Sequence, residues 1–95
     1  MDFSDKKILV TGGSRGIGRA IATGFSQKGA RLAINYLTNS EGAELTHAKL
    51  TGEGHIAIQG DAAKAIEVEQ LVKKAIAALG GLDIVVNNAG IGIYH

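Results

Sequence analysis

The stretch that decides the fold is Lys7-Ile8-Leu9-Val10-Thr11-Gly12-Gly13-Ser14-Arg15-Gly16-Ile17-Gly18, in which an apolar run passes into a loop with four glycines. The apolar part is too short for a helix and is typical of a strand that is buried on both faces. After the loop, Ile17, Ile21 and Phe25 recur at helical spacing. The stretch therefore predicts a strand, a glycine-rich turn and a helix that begins at about Gly16.

Strands and helices continue to alternate along the rest of the chain. The spacing of apolar residues predicts a helix through residues 68–79, and Gly80-Gly81 is expected to end it. Another helix is expected to begin at Thr38-Asn39-Ser40-Glu41, which we interpret as a capping box, and to end at about Leu50. Short apolar runs predict three further strands, at residues 32–36, 55–59 and 82–87.

The resulting order β-α-β-α-β-α-β predicts parallel strands joined by right-handed crossovers. We therefore expect one Rossmann-like α/β domain over residues 1–95, with strand order 3-2-1-4. In this topology the first two helices cover one sheet face and the third helix covers the other. The second face is then under-covered, and strand four is an exposed apolar edge. We interpret the chain as the N-terminal part of a larger, truncated unit, or as one that associates with a copy of itself through that edge or that face.

Composition narrows the class of protein. The chain has 95 residues, a net charge of +1 and 45% apolar residues, which indicates a single small globular unit. It lacks a basic run and a long apolar segment, which argues against nucleic acid or a membrane as its main partner. The absence of cysteine favours a reducing compartment, and we expect a cytoplasmic protein. His47, His55 and His95 lack metal-ligand spacing, so no metal site is predicted.

The spacing of the loop glycines separates three kinds of phosphate-binding loop. A P-loop is excluded because Arg19-Ala20 stands where Lys and Ser or Thr are needed, and G-x-G-x-x-G from Gly16 is excluded because Ile21 replaces its third glycine. The pattern that remains is G-x-x-x-G-x-G, from Gly12 through Gly16 to Gly18. These glycines would permit a tight strand exit, close approach of a pyrophosphate and close helix packing, and the helix N-terminus would attract the anion. The alternative is a plain turn that needs glycine for its conformation alone.

Two motifs together resemble a known family. The glycine pattern after Thr11, combined with Asn87-Asn88-Ala89-Gly90, resembles the short-chain dehydrogenase/reductase family over about residues 6–90. It is most similar to the family's 3-oxoacyl-(acyl-carrier-protein) reductase-like members. The resemblance implies an NAD(P)-dependent oxidoreductase that reduces a carbonyl or oxidises an alcohol by hydride transfer.

The resemblance assigns no catalytic residue to this chain. The family's catalytic Ser, Tyr and Lys lie beyond the Asn-Asn-Ala-Gly motif, and Tyr94 has no Lys four residues later. We therefore predict the NADP(H)-binding portion of an oxidoreductase that is inactive by itself. The alternative is a stand-alone nucleotide-binding or self-associating module without catalysis.

The cofactor is predicted to be NADP, with NAD less favoured. Strand two ends in Asn35-Tyr36-Leu37-Thr38, which offers no carboxylate to repel a 2′-phosphate. Arg15 adds a permanent positive charge that suits a forked contact to phosphate. In similar reductases this position contacts the 2′-phosphate. The alternative for Arg15 is a solvated loop residue.

The resemblance also implies contacts with the adenosine end of the cofactor. Asp61 would accept a hydrogen bond from the adenine amino group, with Ala62 lining the ring. The alternative for Asp61 is an N-cap of the third helix. Asn87 would meet the adenosine, and Gly90 would let the cofactor pass closely. The complete predicted cofactor-binding set is Gly12, Ser14, Arg15, Gly16, Ile17, Gly18, Asn35, Tyr36, Thr38, Asp61, Ala62, Asn87, Ala89 and Gly90.

Overall fold

The computed structural model of the chain describes residues 2–13 and 16–88, and within them strands and helices alternate in the predicted order. The ends of the elements differ from the predicted ends by only a few residues. The observed elements are β1 (Lys7–Val10), α1 (Gly16–Gln27), β2 (Arg31–Tyr36), α2 (Ser40–Lys49), β3 (Ile56–Gln59), α3 (Ala65–Leu79) and β4 (Ile84–Val86).

The four strands form one parallel sheet in the order β3-β2-β1-β4, which confirms the predicted topology. Leu9 in β1 stands between Ala33 of β2 and Val85 of β4 in the register. Because all strands run the same way, their carboxyl ends meet at one edge of the sheet. The segments 11–13, 37–39, 60–64 and 87–88 therefore follow the strands along that edge.

Alternate residues of the central strands build two separate cores. Ile8 and Ile34 belong to the core on the face of α1, together with Ala22 of that helix, and all three are fully buried. Leu9 and Leu71 belong to the core on the opposite face, beneath α3. Helices α1 and α2 contact each other. The structure thus confirms that the first two helices cover one face and the third covers the other.

The start of α2 differs from the predicted capping box. The N-cap is Asn39, whose Oδ1 accepts the backbone N–H of Gly42 at 3.0 Å, so the pairing of Thr38 with Glu41 is wrong. The helix begins one residue later than the box requires, and the Asn39 side chain accepts the N–H three residues later, as a capping hydroxyl does. At the other predicted boundary, Gly80 caps α3 in a left-handed conformation, as expected.

Strand β4 is the least covered part of the sheet. Among the described elements it contacts β1 alone, whereas α3 contacts β1, β2 and β3. Val85, which points to the α3 side, is 46% exposed. The expected exposed edge is therefore present in the part of the chain that the structure describes. No helix in the same part is long and apolar enough to cross a membrane.

Candidate functional site

The loop after β1 crosses the end of β2 at close range. Gly12 has a φ of 67°, and the Gly13 N–H donates to the Asn35 carbonyl at 2.9 Å. A Cβ on Gly13 would lie 2.9 Å from Ile34 Cβ, so this position has no room for a side chain without movement of β2. Gly13 is not among the predicted site residues. The one feature of the sequence that indicates this contact is the place of Gly13, directly after a strand and the turn that follows it.

The first turn of α1 packs directly against this loop at Gly18. A Cβ on Gly18 would lie 2.0 Å from the Gly12 carbonyl oxygen and 3.0 Å from Asn88 Nδ2. Real Cβ atoms do not approach a carbonyl oxygen so closely, so only glycine fits here without a shift of backbone. The expected close packing of the helix at Gly18 is confirmed, and its partner is the strand exit itself.

The N-terminus of α1 lies on the same edge, and no described atom crowds it at Gly16. Gly16 has a φ of 59°, and a Cβ there would meet no described atom within 4 Å. Ile17 is 70% exposed, and the first turn contains no acidic residue. A helix N-terminus in general presents N–H groups without intrahelical partners and a partial positive charge, which would suit an anion at this edge. Ser14 and Arg15, which the sequence also assigns to this loop, lie outside the described residues.

Thr11 joins the glycine loop to the segment after β4. Its side chain is buried, and its hydroxyl donates to Asn87 Oδ1 at 3.0 Å while accepting the Asn88 N–H at 2.8 Å. Its backbone N–H also donates to the Val86 carbonyl at 3.0 Å. This threonine was absent from the predicted site, although it stands directly before the glycines. The two family-like motifs are thus physically connected through one hydroxyl.

Asn35, which the sequence predicts as a ligand contact, has its side chain engaged inside the protein. Its side chain is 2% exposed, and its Nδ2 donates to the carbonyls of Gly60 and Ile58 at 3.0 and 3.2 Å. Its Oδ1 accepts the Gly12 N–H at 3.4 Å. The side chain therefore links the ends of three strands inside the protein. The reason is its position on the α3 face of β2, where β3 and the loop after β1 enclose it.

The segment after β2 lies at the edge of the sheet without a carboxylate. Tyr36 is half-buried, and its carbonyl accepts the Gly60 N–H at 2.9 Å. Thr38 is exposed, and Gln59 Nε2 donates to the Leu37 carbonyl at 3.0 Å. Tyr36 therefore ends β2 beside β3, and Thr38 belongs to the following loop, which Gln59 of β3 contacts. Neither lies in the interior.

Asp61 lies in the turn between β3 and α3, but it is not the N-cap of α3. The N-cap is Lys64, which has no side-chain capping bond. Asp61 Oδ1 instead accepts the Ala63 N–H at 3.0 Å, within the turn. The Asp61 N–H donates to Glu67 Oε1 at 2.8 Å, a contact that the sequence analysis missed. Ala62 is buried in the core beneath α3.

Some of the remaining candidate residues lie at the carboxyl edge of the sheet, and others lie elsewhere in the protein. Asn87 is exposed beside Thr11, whereas Ala89 and Gly90 lie outside the described residues. His55 precedes β3, at the opposite edge of the sheet, and its Nδ1 accepts the Leu32 N–H at 3.0 Å. No group of three or more His, Cys, Asp or Glu side chains that could hold a metal ion occurs within residues 2–13 and 16–88.

A glycine loop at the carboxyl edge of a 3-2-1-4 parallel sheet, at the point where β1 separates β2 from β4, defines a Rossmann-type α/β unit. Comparison with protein families narrows this class. The family model of the short chain dehydrogenases matches residues 6–95, so the chain belongs to that family.

Named relatives match the chain over almost its whole length. A 3-oxoacyl-[acyl-carrier-protein] reductase FabG from Staphylococcus aureus (strain Mu50 / ATCC 700699) is 44% identical over 88 residues, which are 90% of this chain and 36% of the relative. An L-rhamnose 1-dehydrogenase (NAD(P)(+)) from Sphingomonas sp. (strain SKA58) is 42% identical over 92 residues, 95% of this chain and 36% of the relative. The chain therefore spans little more than a third of the length of these proteins.

A solved structure shows the same architecture. A short chain dehydrogenase from Burkholderia cenocepacia J2315, crystallised in complex with NADP, superposes with a TM-score of 0.84 at 43% identity. The match covers 96% of this chain and 38% of that one. The fold of the chain is thus that of the first part of a short-chain dehydrogenase.

Two glycines of α1 give a matched test of the helix–loop contact. Gly18→Ala should lower the free energy of unfolding by about 2 kcal/mol or more, because the new methyl group overlaps the Gly12 carbonyl. Gly24→Ala, in the same helix with no atom within 4 Å of its Cβ position, should raise it by about 0.5–1 kcal/mol. Urea denaturation followed by circular dichroism measures both, and equal effects would refute the contact.

The Thr11 bridge is tested by removing its hydroxyl. Thr11→Val should lower the free energy of unfolding by about 1–3 kcal/mol, because the Asn88 N–H loses its acceptor in a part-buried position. Thr11→Ser keeps the hydroxyl and should retain most of that stability. Denaturant midpoints compare the two variants, and a valine variant as stable as the serine variant would contradict the bridge.

Proposed function

We propose that residues 1–95 form an NADP(H)-binding domain, the N-terminal part of a short-chain oxidoreductase that reduces a carbonyl or oxidises an alcohol. When bound, the nicotinamide cofactor supplies or accepts the hydride. This chain's own residues hold and orient it at the carboxyl edge of the sheet. The observation that supports this most is the open N-terminus of α1, which stands beside the glycine loop without an acidic side chain in its first turn. The predicted cytoplasmic location belongs to the proposal and is based on composition.

The diphosphate is assigned to the first turn of α1. A helix N-terminus offers free N–H groups and about half a positive charge to an anion. Gly16 adds an open approach, because no described atom lies within 4 Å of its Cβ position. Gly12 and Gly18 hold this turn against the strand exit, so the amides are in place before a ligand arrives. Ser14 and Ile17 complete the proposed contacts of the loop.

The adenosine is assigned to the ends of β2 and β3. No carboxylate occurs from Asn35 to Thr38, so a 2′-phosphate meets no repulsion there, and Arg15 supplies the positive charge that favours it. Asp61 and Asn87 lie on either side of β1 and β2 on the same edge, where they would face the base and the sugar. The Burkholderia relative that was crystallised with NADP supports this cofactor. Ala89 and Gly90 remain part of the proposed set through their motif.

The substrate is not assigned to this part of the fold. Two relatives that resemble the chain about equally are a reductase of an acyl carrier protein substrate and a dehydrogenase of a sugar. Their similarity to the chain lies in the part that we assign to the cofactor. We therefore expect the 95-residue chain to bind the dinucleotide without reducing a carbonyl, and we assign none of its residues to the chemical step.

Replacement of Arg15 tests the cofactor assignment. Arg15→Ala should raise the Kd for NADPH by about 10-fold or more, because a charge-assisted hydrogen bond is lost, and should change the Kd for NADH by less than about 3-fold. Lys28→Ala removes the same charge beyond the other end of α1 and should affect neither. Isothermal titration calorimetry measures the six dissociation constants, for the wild-type chain and both variants with each dinucleotide.

Two results would contradict the proposal in different ways. Equal losses for NADPH and NADH in the Arg15 variant would refute the contact to the 2′-phosphate. Failure of the folded wild-type chain to bind either dinucleotide would refute the binding function itself. Circular dichroism of each variant shows whether the helices are intact before the titration.

A second candidate function is a self-associating module, and the exposure of β4 favours it. The α3 side of β4 has no covering helix among the described residues, and Val85 is half exposed there. The outer edge of β4 pairs with no strand among the described residues, and an unpaired strand edge can pair with another chain. The supporting result would be a discrete dimer that binds NADPH tightly.

Val85 provides the test of self-association. Val85→Glu should weaken the dimer at least about 10-fold, because a charge would replace an apolar contact of the interface. Leu45→Glu, on an exposed position of α2 over the other face, should leave it unchanged. Sedimentation velocity over a range of concentrations measures both. A wild-type chain that stays monomeric throughout would contradict the module.

A further inference from the structure

The turn between β3 and α3 is closed by a carboxylate from within the helix. Glu67 Oε1 accepts the backbone N–H of Asp61 at 2.8 Å, six residues back along the chain. Glu67 is the third residue of α3, and the N-cap Lys64 makes no side-chain capping bond. The Glu67 contact serves a donor in the turn and not one of the first amides of the helix, so it ties the turn to α3.

A second pair of contacts fixes the base of the same turn to β2. The Gly60 N–H donates to the Tyr36 carbonyl at 2.9 Å, and the Gly60 carbonyl accepts Asn35 Nδ2 at 3.0 Å. With Gly60 held by the sheet and the next residue held by Glu67, the backbone of Asp61 is restrained from both sides. The side chain therefore starts from a fixed backbone position.

The carboxylate of Asp61 is restrained as well, but only through one oxygen. Oδ1 accepts the Ala63 N–H at 3.0 Å, while Oδ2 stands 4.0 Å from Lys64 Nζ. The side chain is 25% exposed, and the Lys64 ammonium is mostly solvated. Oδ2 is thus the oxygen that remains for a hydrogen-bond donor from outside the protein. An exposed ion pair at 4.0 Å does not withhold it, because such pairs are weak.

We propose that Glu67 is a positioning residue that holds the Asp61 carboxylate for the exocyclic amino group of adenine, and so gives the site its preference for adenine over a 6-oxopurine. This inference depends on the proposed dinucleotide function. The chemistry follows from donor and acceptor types: an amino group donates to a carboxylate, whereas the carbonyl of hypoxanthine places a second acceptor against it. Glu67 touches no ligand and acts through the backbone of Asp61.

The hydrogen bond of Glu67, and not its charge, is the feature that matters for this role. Glu67→Gln keeps an oxygen acceptor at the same reach and removes the negative charge. Glu67→Ala removes both, and Glu67→Asp keeps the charge on a side chain one methylene shorter. Glu69 is the matched control, because it lies on the exposed side of the same helix and pairs with Lys73 at 3.7 Å.

The experiment compares two probes, NADPH and its analogue with hypoxanthine in place of adenine. We expect the wild-type chain to bind NADPH more tightly. Glu67→Ala and Glu67→Asp should weaken NADPH binding by about 3- to 10-fold, the worth of one hydrogen bond, and leave binding of the analogue unchanged. Glu67→Gln and Glu69→Ala should keep both constants, and fluorescence titration measures them.

Each other outcome overturns the inference. If Glu67→Ala leaves the ratio of the two Kd values as it is in the wild type, whether both constants rise equally or neither changes, Glu67 has a structural role only. If the alanine variant fails to fold, the aspartate and glutamine variants decide, since they preserve a polar side chain and differ in reach. A wild-type chain that binds both probes equally well refutes the adenine preference alone, whereas a chain that binds neither refutes the proposed function.

Discussion

The geometry of the carboxyl edge of the sheet depends on how closely the first turn of α1 approaches the end of β1. The Gly18 backbone lies so near the Gly12 carbonyl that a Cβ at position 18 would overlap it. A side chain at position 18 would push the helix away from the strand exit, so glycine is what allows the first turn of α1 to lie against the carboxyl edge. The same loop brings Gly13 against Ile34 of the neighbouring strand.

The architecture was predictable because it depends on periodicity and handedness. Apolar runs between glycines indicated strands, helical spacing indicated the connections, and the right-handed crossover rule left the order 3-2-1-4. The role of Gly18 was predictable too, because its spacing after a strand leaves few alternatives. Boundaries were less certain: Asn39 replaced the predicted capping box, since several consecutive polar residues could each have served as the cap.

The polar contacts at this carboxyl edge could not be predicted from periodicity or handedness. Thr11, Asn35 and Glu67 each bind a partner from another part of the chain, and no local pattern states which partner that is. Asn35 was expected to meet a ligand because it stands near the end of a strand. Its side chain is buried because β3 encloses it, and the tertiary structure sets that contact. Ser14, Arg15, Ala89 and Gly90 lie outside the described residues, so their contacts stay predictions from the sequence.

The buried amide of Asn35 has a consequence for how the carboxyl edge of the sheet is held in shape. One side chain hydrogen-bonds to the loop after β1 and to the end of β3 at once, through Gly12, Ile58 and Gly60. Hydrogen bonds within the protein hold these two segments in place, without any contact from a ligand. A ligand that bound at this edge would be spared the entropic cost of arranging them.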